Sequence, residues 1–290
     1  MKILRTFAVT AMIAVLAIAC SQKKAETTAK LTKAPFDTTF AQAKMAAADG
    51  DKPIVIDFYT DWCTWCKKLD TEVYTDPKTI DFFTNKMVLF KTNAEVDTAL
   101  AHKFNISGYP TLVMTDSKGN EIDRIIGYEP TETFLQHLQD YQNGIGTLGD
   151  LLKQADTSKN RDLYFQIADK YKYRGGDQDA INWYNKVIDA GKPTDSMSGE
   201  SKFAIADMYF RAKNYDQALS DYGKISKDFK GTGFAELADI YTPIAFTKMG
   251  DTAKAISAFE KFIKVHPNSE DTSYAKIQIG KLKGTDPQTD

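Results

Sequence analysis

Ile54-Val55-Ile56-Asp57-Phe58-Tyr59-Thr60-Asp61-Trp62-Cys63-Thr64-Trp65-Cys66-Lys67 is the stretch that decides the fold. Its first six residues are a nearly continuous apolar run, rich in β-branched and aromatic side chains. Such a run reads as a strand buried on both faces. A helical stretch, Trp62–Tyr74, follows, and the two cysteines stand where it begins. A helix N-terminus carries unpaired backbone N–H groups and partial positive charge. That charge stabilises a thiolate on Cys63 and makes it the nucleophile. Cys66 lies one turn deeper, within disulfide reach and shielded. Cys63 is expected to attack a substrate disulfide and Cys66 to resolve the mixed disulfide. The pair reads as a redox signature.

Outward from this segment, strands and helices alternate. Phe36–Ala48 is helical in composition and stops at Asp49-Gly50-Asp51-Lys52-Pro53. Asp76-Pro77 opens a helix through Asn85. Met87–Lys91 is a second buried strand and Val96–Phe104 a helix. Thr111–Thr115 and Ile122–Ile126 are strands joined by a turn cluster, Asp116–Asn120. Thr131–Gln142 closes with an amphipathic helix. This order argues for a central mixed sheet covered on both faces, an α/β fold.

The segment around the cysteines resembles the active-site stretch of the thioredoxin superfamily. Its Trp-Cys-x-x-Cys-Lys form, with no proline between the cysteines, is most similar to the thioredoxin-like domain at the C-terminus of the Dsb-system reductant transporter. Gly108-Tyr109-Pro110-Thr111 resembles the family's cis-proline loop. Asp57 stands six residues before Cys63, where thioredoxins keep a buried acid, and Lys91 matches the lysine near that acid. The resemblance covers residues 35–143. It implies that Asp57 has a raised pKa and shuttles a proton to and from Cys66, and that Lys91 tunes it. Pro110, in cis, would hold Tyr109 backbone groups open to a substrate strand. Trp62 would form an apolar rim beside Cys63, and Trp62 and Tyr109 together would contact substrate. No histidine stands between the cysteines to stabilise the reduced form, so a reductase or isomerase is expected before a strong oxidant.

After Gly144-Ile145-Gly146-Thr147 only helices are expected. Ala168-x-x-Tyr171 with Ala180-x-x-x-Tyr184 recurs as Ala206-x-x-Tyr209 with Ala218-x-x-x-Tyr222, and again around Phe246 and Ala255-x-x-x-Phe259. The pattern, over residues 148–283, resembles tetratricopeptide repeats. Leu148–Gln154 would open the array and Thr272–Leu282 cap it. Pro243 predicts an irregular first helix in the third repeat. The aromatic stripe has the spacing of core contacts. Such arrays often present a face to a partner, so client recruitment is the expected role.

At the other end, Lys2 and Arg5 precede an apolar run from Phe7 to Ala19, the length of a signal-peptide core and short for a membrane span. Leu16-Ala17-Ile18-Ala19-Cys20-Ser21 resembles the lipobox of bacterial lipoproteins. Residues 1–19 are then a signal peptide, and Cys20 is the lipidated first mature residue. Residues 20–34 form a flexible tether. Ser21 favours the outer membrane of a cell envelope, with the folded part facing the periplasm.

Composition narrows the remaining classes. The 290 residues are 42% hydrophobic and 26% charged, enough for about two folded domains. The formal net charge of −2 argues against a nucleic-acid binder. Three cysteines exclude a disulfide-stapled scaffold. No second C-x-x-C exists, and His102, His137 and His266 are scattered, so no metal site is expected. No Gly-rich phosphate loop points to a nucleotide, and no cofactor is expected. The expected partners are proteins bearing disulfides or thiols, a membrane dithiol donor, and the lipid membrane through Cys20. A scaffold lipoprotein using both domains only for binding remains the alternative at this point.

Overall fold

The computed structural model describes residues 31–37 and 39–285. The expected signal peptide and Cys20 lie outside the described residues. Among those described, no helix is long and apolar enough to cross a membrane.

The first unit is built on four strands, β1 (Ile54–Tyr59), β2 (Val88–Asn93), β3 (Thr111–Thr115) and β4 (Glu121–Ile126). Their order across the sheet is β2-β1-β3-β4. β1 runs parallel to β2 and antiparallel to β3, and β3 pairs antiparallel with β4. β1 is therefore central, and five of its six residues are buried. Alternation along β1 separates two cores. Ile54, Ile56 and Phe58 pack with Ala43 and Ala47 of α1 (Phe40–Ala48) and Leu100 and Ala101 of α4 (Thr98–Lys103). Val55 faces the other way, with Leu69 and Tyr74 of the segment before α3 (Pro77–Asn85), Phe82 and Phe83 of α3 itself, and Phe134 of α5 (Thr131–Gln142). Asp57 shares that second side by the same alternation.

The helix expected over Trp62–Tyr74 is not one regular helix. α2 (Thr64–Lys68) passes into a π-helical turn, Leu69–Val73, closed by the Tyr74 N–H on the Leu69 carbonyl at 3.1 Å. Such turns re-aim side chains relative to a continuous α-helix.

The second unit is all helical: α6 (Leu148–Thr157), α7 (Arg161–Lys172), α8 (Asp177–Asp189), α9 (Ser196–Arg211), α10 (Tyr215–Asp228), α11 (Gly233–Met249), α12 (Thr252–Val265) and α13 (Asp271–Lys283). Ala168, Ala180, Ala206, Ala218 and Ala255 are all fully buried, so backbones approach closely where the repeat pattern places small residues. Tyr184, Tyr222 and Phe259 fill the core beside them. Tyr171 and Tyr209 only pack partly against it. Pro243 does not interrupt its helix. α11 runs through it, with Pro243 buried. Thr242 and Thr247 hydroxyls donate back one turn to the Ala238 and Pro243 carbonyls at 2.8 and 2.9 Å, while the missing proline N–H deprives the Asp239 carbonyl of its helical donor.

A buried charge cluster joins the units. Asp123 of β4 is fully buried, and its carboxylate accepts from the Lys170 ammonium, from the Leu148 N–H that starts α6, and from its neighbour's Arg124 N–H. The Arg174 guanidinium lies 2.8 Å from it. Burial pushes the Asp123 pKa up, but Arg174 and Lys170 outweigh it and hold the carboxyl below its usual range. Arg124 donates to the Tyr173 carbonyl and Asn105 to that of Arg174. Gly175 sits against Asn105 at φ +75°, and a Cβ there would meet the Asn105 side chain at 2.9 Å.

Candidate active site

The cysteines sit where β1 hands over to α2. Cys63 is the residue that caps α2, and the Cys66 N–H donates to its Sγ at 3.0 Å. The two sulfurs form a disulfide. The helix-start argument thus takes a concrete form: a backbone donor already points at the sulfur that would carry negative charge. Exposure does not separate the two cysteines in this oxidised state. Cys63 is 4% and Cys66 3% exposed, against an expected accessible Cys63 and a shielded Cys66. The asymmetry lies in the hydrogen bond and the helix position.

Asp57 and Lys91 are brought together by the parallel β1–β2 register, in which they are direct partners. Lys91 Nζ lies 3.1 Å from Asp57 Oδ2, with both side chains almost completely buried. Tyr74 Oη donates to the same Oδ2 at 3.0 Å, and Oδ1 has no partner among the described residues. Burial raises the Asp57 pKa, and Lys91 and Tyr74 only partly offset it. The result is a carboxyl with one oxygen committed and one free, a form suited to taking and returning a proton.

Two members of this network were not singled out from sequence. Asp70 binds Lys91 from the other side and also accepts from Lys33 at 2.9 Å. Burial acts to raise the Asp70 pKa, but Lys91, with Lys33, carries it below the ordinary value. Tyr74 is fully buried, and burial, then the Asp57 charge, pushes its hydroxyl well above the usual range. Cys66, Asp70 and Tyr74 recur every fourth residue, so a one-face helical reading held the signal.

The cis-proline motif comes to the same end of the sheet. The Tyr109–Pro110 peptide is cis. Among the described residues, no backbone partner is made by the Tyr109 N–H or carbonyl, while the Pro110 carbonyl accepts from Gly127. Trp62 is 64% exposed, stands edge-on to the Tyr109 ring at 5.8 Å, and donates from Nε1 to Glu95 at 2.9 Å. A second aromatic pair lies near Cys66. Trp65, 56% exposed, packs on Tyr128 at 5.7 Å, with the Lys68 ammonium over both rings and the Tyr128 hydroxyl on Glu72. The C-x-x-C is thus framed by two fixed, partly exposed aromatic pairs. Cys20 is the one candidate residue outside the described residues. Among the described residues, no group of His, Cys, Asp and Glu could hold a metal ion.

With this geometry in hand, comparison with known proteins places the first unit. The thioredoxin-like domain family matches residues 39–142, and the tetratricopeptide repeat family matches residues 244–269. The thiol:disulfide interchange protein DsbD of Yersinia pestis (strain Pestoides F) is 41% identical over 104 residues, 34% of this chain and 17% of that protein. DsbD of Citrobacter koseri is 32% identical over 123 residues, 41% of this chain and 22% of that protein. The chain therefore spans less than a quarter of these curated relatives. A solved structure of DsbH oxidoreductase aligns over 42% of this chain and 94% of its own, at 19% identity and a TM-score of 0.35. Residues 39–142 are a thioredoxin-like domain similar to part of DsbD, carrying a Cys63–Cys66 pair, and the helices that follow include a tetratricopeptide repeat.

Proposed function

We propose that this chain is a thiol:disulfide oxidoreductase of the bacterial cell envelope that reduces or isomerises protein disulfides. It is anchored through a lipid on Cys20, faces the periplasm from the outer membrane, and recruits its client with the helical repeats. The observation that carries this reading is the Cys63–Cys66 disulfide at the start of α2, with the Cys66 N–H on the Cys63 sulfur, in a domain whose central strand also carries a buried, half-unpaired Asp57.

In the reduced protein, the Cys63 thiolate attacks one sulfur of a client disulfide. A mixed disulfide forms, and the other client sulfur leaves as a thiolate. Cys66 then loses its proton to Asp57 and attacks the Cys63 sulfur. The second client thiolate leaves, and Cys63–Cys66 closes. Two electrons have passed to the client, and a dithiol donor must return them. In isomerisation a client thiol attacks the mixed disulfide instead, and no net electrons move. The open Tyr109 backbone supports docking of an extended client segment, with the Trp62 and Tyr109 rings alongside.

One observation favours the alternative, a scaffold whose thioredoxin-like domain only binds: the 4% exposure of Cys63. Insulin reduction separates the two. Full-length protein in detergent with dithiothreitol is expected to speed precipitation of the insulin B chain at least about tenfold over dithiothreitol alone. No acceleration would leave the scaffold reading in place.

A further inference from the structure

We propose that Lys33 is a positioning residue of the active site: through Asp70 and Lys91 it holds Asp57 in the ionised form that takes the Cys66 proton. This rests on the oxidoreductase reading and deepens it, by adding to the site a residue of the chain ahead of α1.

Two paths lead from this arm to Asp57. Lys33 donates to Asp70 Oδ1 at 2.9 Å, the same oxygen binds the Lys91 ammonium, and Lys91 Nζ lies 3.1 Å from Asp57 Oδ2. One residue on, the Ala34 N–H donates to the Tyr74 carbonyl at 2.7 Å, and Tyr74 Oη donates to the same Asp57 oxygen. Each partner of Asp57 is thus tied, directly or through Asp70, to adjacent residues of the arm. Exposed ion pairs are weak partly because two free side chains must be held in one geometry. The Lys33–Asp70 pair is only half-exposed, and its backbone is already anchored. Ala34 is buried beside it, and the Asp37 N–H donates to the Leu89 carbonyl at 2.9 Å.

The balance of charge decides the direction of the effect. With Asp57 ionised, Lys33 and Lys91 face Asp70 and Asp57, two cations against two anions. Among the described residues, these two carboxylates have ion pairs with Lys33 and Lys91 only. The other groups packed on the cluster are neutral: the Tyr59 and Tyr74 rings under the Lys91 ammonium, Leu112 opposite Asp57 in β3, and Phe83 of α3 and Phe134 of α5 against Tyr74. Removing Lys33 leaves one cation between two carboxylates. Asp70 then competes undiluted for the Lys91 ammonium, and a proton on Asp57 is how the site loses its excess negative charge. Burial is the first cause of the raised Asp57 pKa, Lys91 opposes it, and the Asp70 charge adds to it. Lys33 neutralises that last contribution. Cys66 gives its proton to Asp57 before attacking the Cys63 sulfur, so an Asp57 of higher pKa stays protonated, and idle as a base, up to a higher pH.

The test uses the full chain in detergent, labelled with carbon-13 at its aspartate carboxyls, and two readouts. In the oxidised protein, with the Asp57 signal assigned by its loss in Asp57→Asn, Lys33→Met should raise the Asp57 titration midpoint by about 0.5 pH unit or more, the scale of one partly screened charge removed several ångström away. Lys33→Arg should restore the wild-type midpoint. In an Asp70→Asn background, Lys33→Met should have no further effect. In the second readout, reduced protein is mixed with dithiobis(nitrobenzoate). Cys63 takes one thionitrobenzoate and releases the other. In a second phase independent of reagent concentration, the Cys66 sulfur bonds to the Cys63 sulfur, thionitrobenzoate leaves as a thiolate, and the Cys66 proton passes to Asp57. The acidic limb of that phase should move up with the midpoint in Lys33→Met. An unmoved midpoint, a shift that persists in the Asp70→Asn background, or an acidic limb that stays while the midpoint moves would each overturn the proposal. Absence of any second release in the wild type would instead count against the oxidoreductase reading, and the midpoint in the oxidised protein still decides the link from Lys33 to Asp57.

Discussion

Cys66→Ser is expected to convert a cycling enzyme into one that stalls on its client. Cys63 keeps its place at the start of α2, where the backbone N–H of residue 66 still points at its sulfur, because that donor does not depend on the side chain. Attack on a client disulfide proceeds, but no second sulfur is left to resolve the product. Covalent adducts should build up on non-reducing gels and vanish with dithiothreitol, and peptide mapping should place them on Cys63. Multiple-turnover reduction should fall by at least about a thousandfold, the scale of losing an essential nucleophile. Cys63→Ser should lose turnover equally but give no adduct. Adducts through Cys66 in that variant would reverse the assignment of attacker and resolver.

Lys91→Met carries the second large effect, on stability. Lys91 is a buried cation between two carboxylates, and its ammonium lies over the Tyr59 and Tyr74 rings. Methionine keeps most of the volume and removes the charge. Asp57 is then left fully buried with only the Tyr74 hydroxyl, while Asp70 keeps Lys33 and water. Leaving one partner of a buried pair costs about 3–5 kcal/mol. The pH dependence has a definite sign. Asp57 has a folded-state pKa above its unfolded one. The native state therefore takes up that proton first as pH falls, which relieves the buried charge. Asp70 adds to the trend. Its pKa is depressed in the wild type, so the stability it contributes there is lost on acidification. Urea unfolding of variant and wild type should show a gap that is largest near pH 7 and narrows toward the ordinary carboxylate range. A gap independent of pH would mean that Lys91 acts by packing alone.

The parts of this site that were legible in the sequence are those set by local rules. The apolar run of β1 and the cysteines at a helix start announce themselves within a few residues, and Gly108-Tyr109-Pro110 does so through its resemblance to the family's cis-proline loop. The Asp57–Lys91 pairing was implied by the resemblance, and the parallel register of β1 and β2 is what brings the two residues together. Asp70 and Tyr74 follow Cys66 at a four-residue spacing, but that spacing names no partner for them, and the π-helical turn that carries them to Lys91 and Asp57 has no local signal. The repeat period was visible because buried alanines and aromatics recur with it. The Asp123 cluster was not, since Asp123 lies far along the chain from Lys170 and Arg174, and all three are ordinary in their local surroundings. Pro243 misled because a helix-breaking tendency of one residue was outweighed by packing along all of α11.

A redox titration of the full chain tests the central claim most directly. Incubated in dithiol buffers of stepped potential and then alkylated, the Cys63–Cys66 pair should pass from oxidised to reduced in a single two-electron transition. Its midpoint should fall above about −280 mV, among catalytic dithiols. A pair that stays oxidised below about −300 mV would behave as a structural disulfide, and the oxidoreductase account would be wrong.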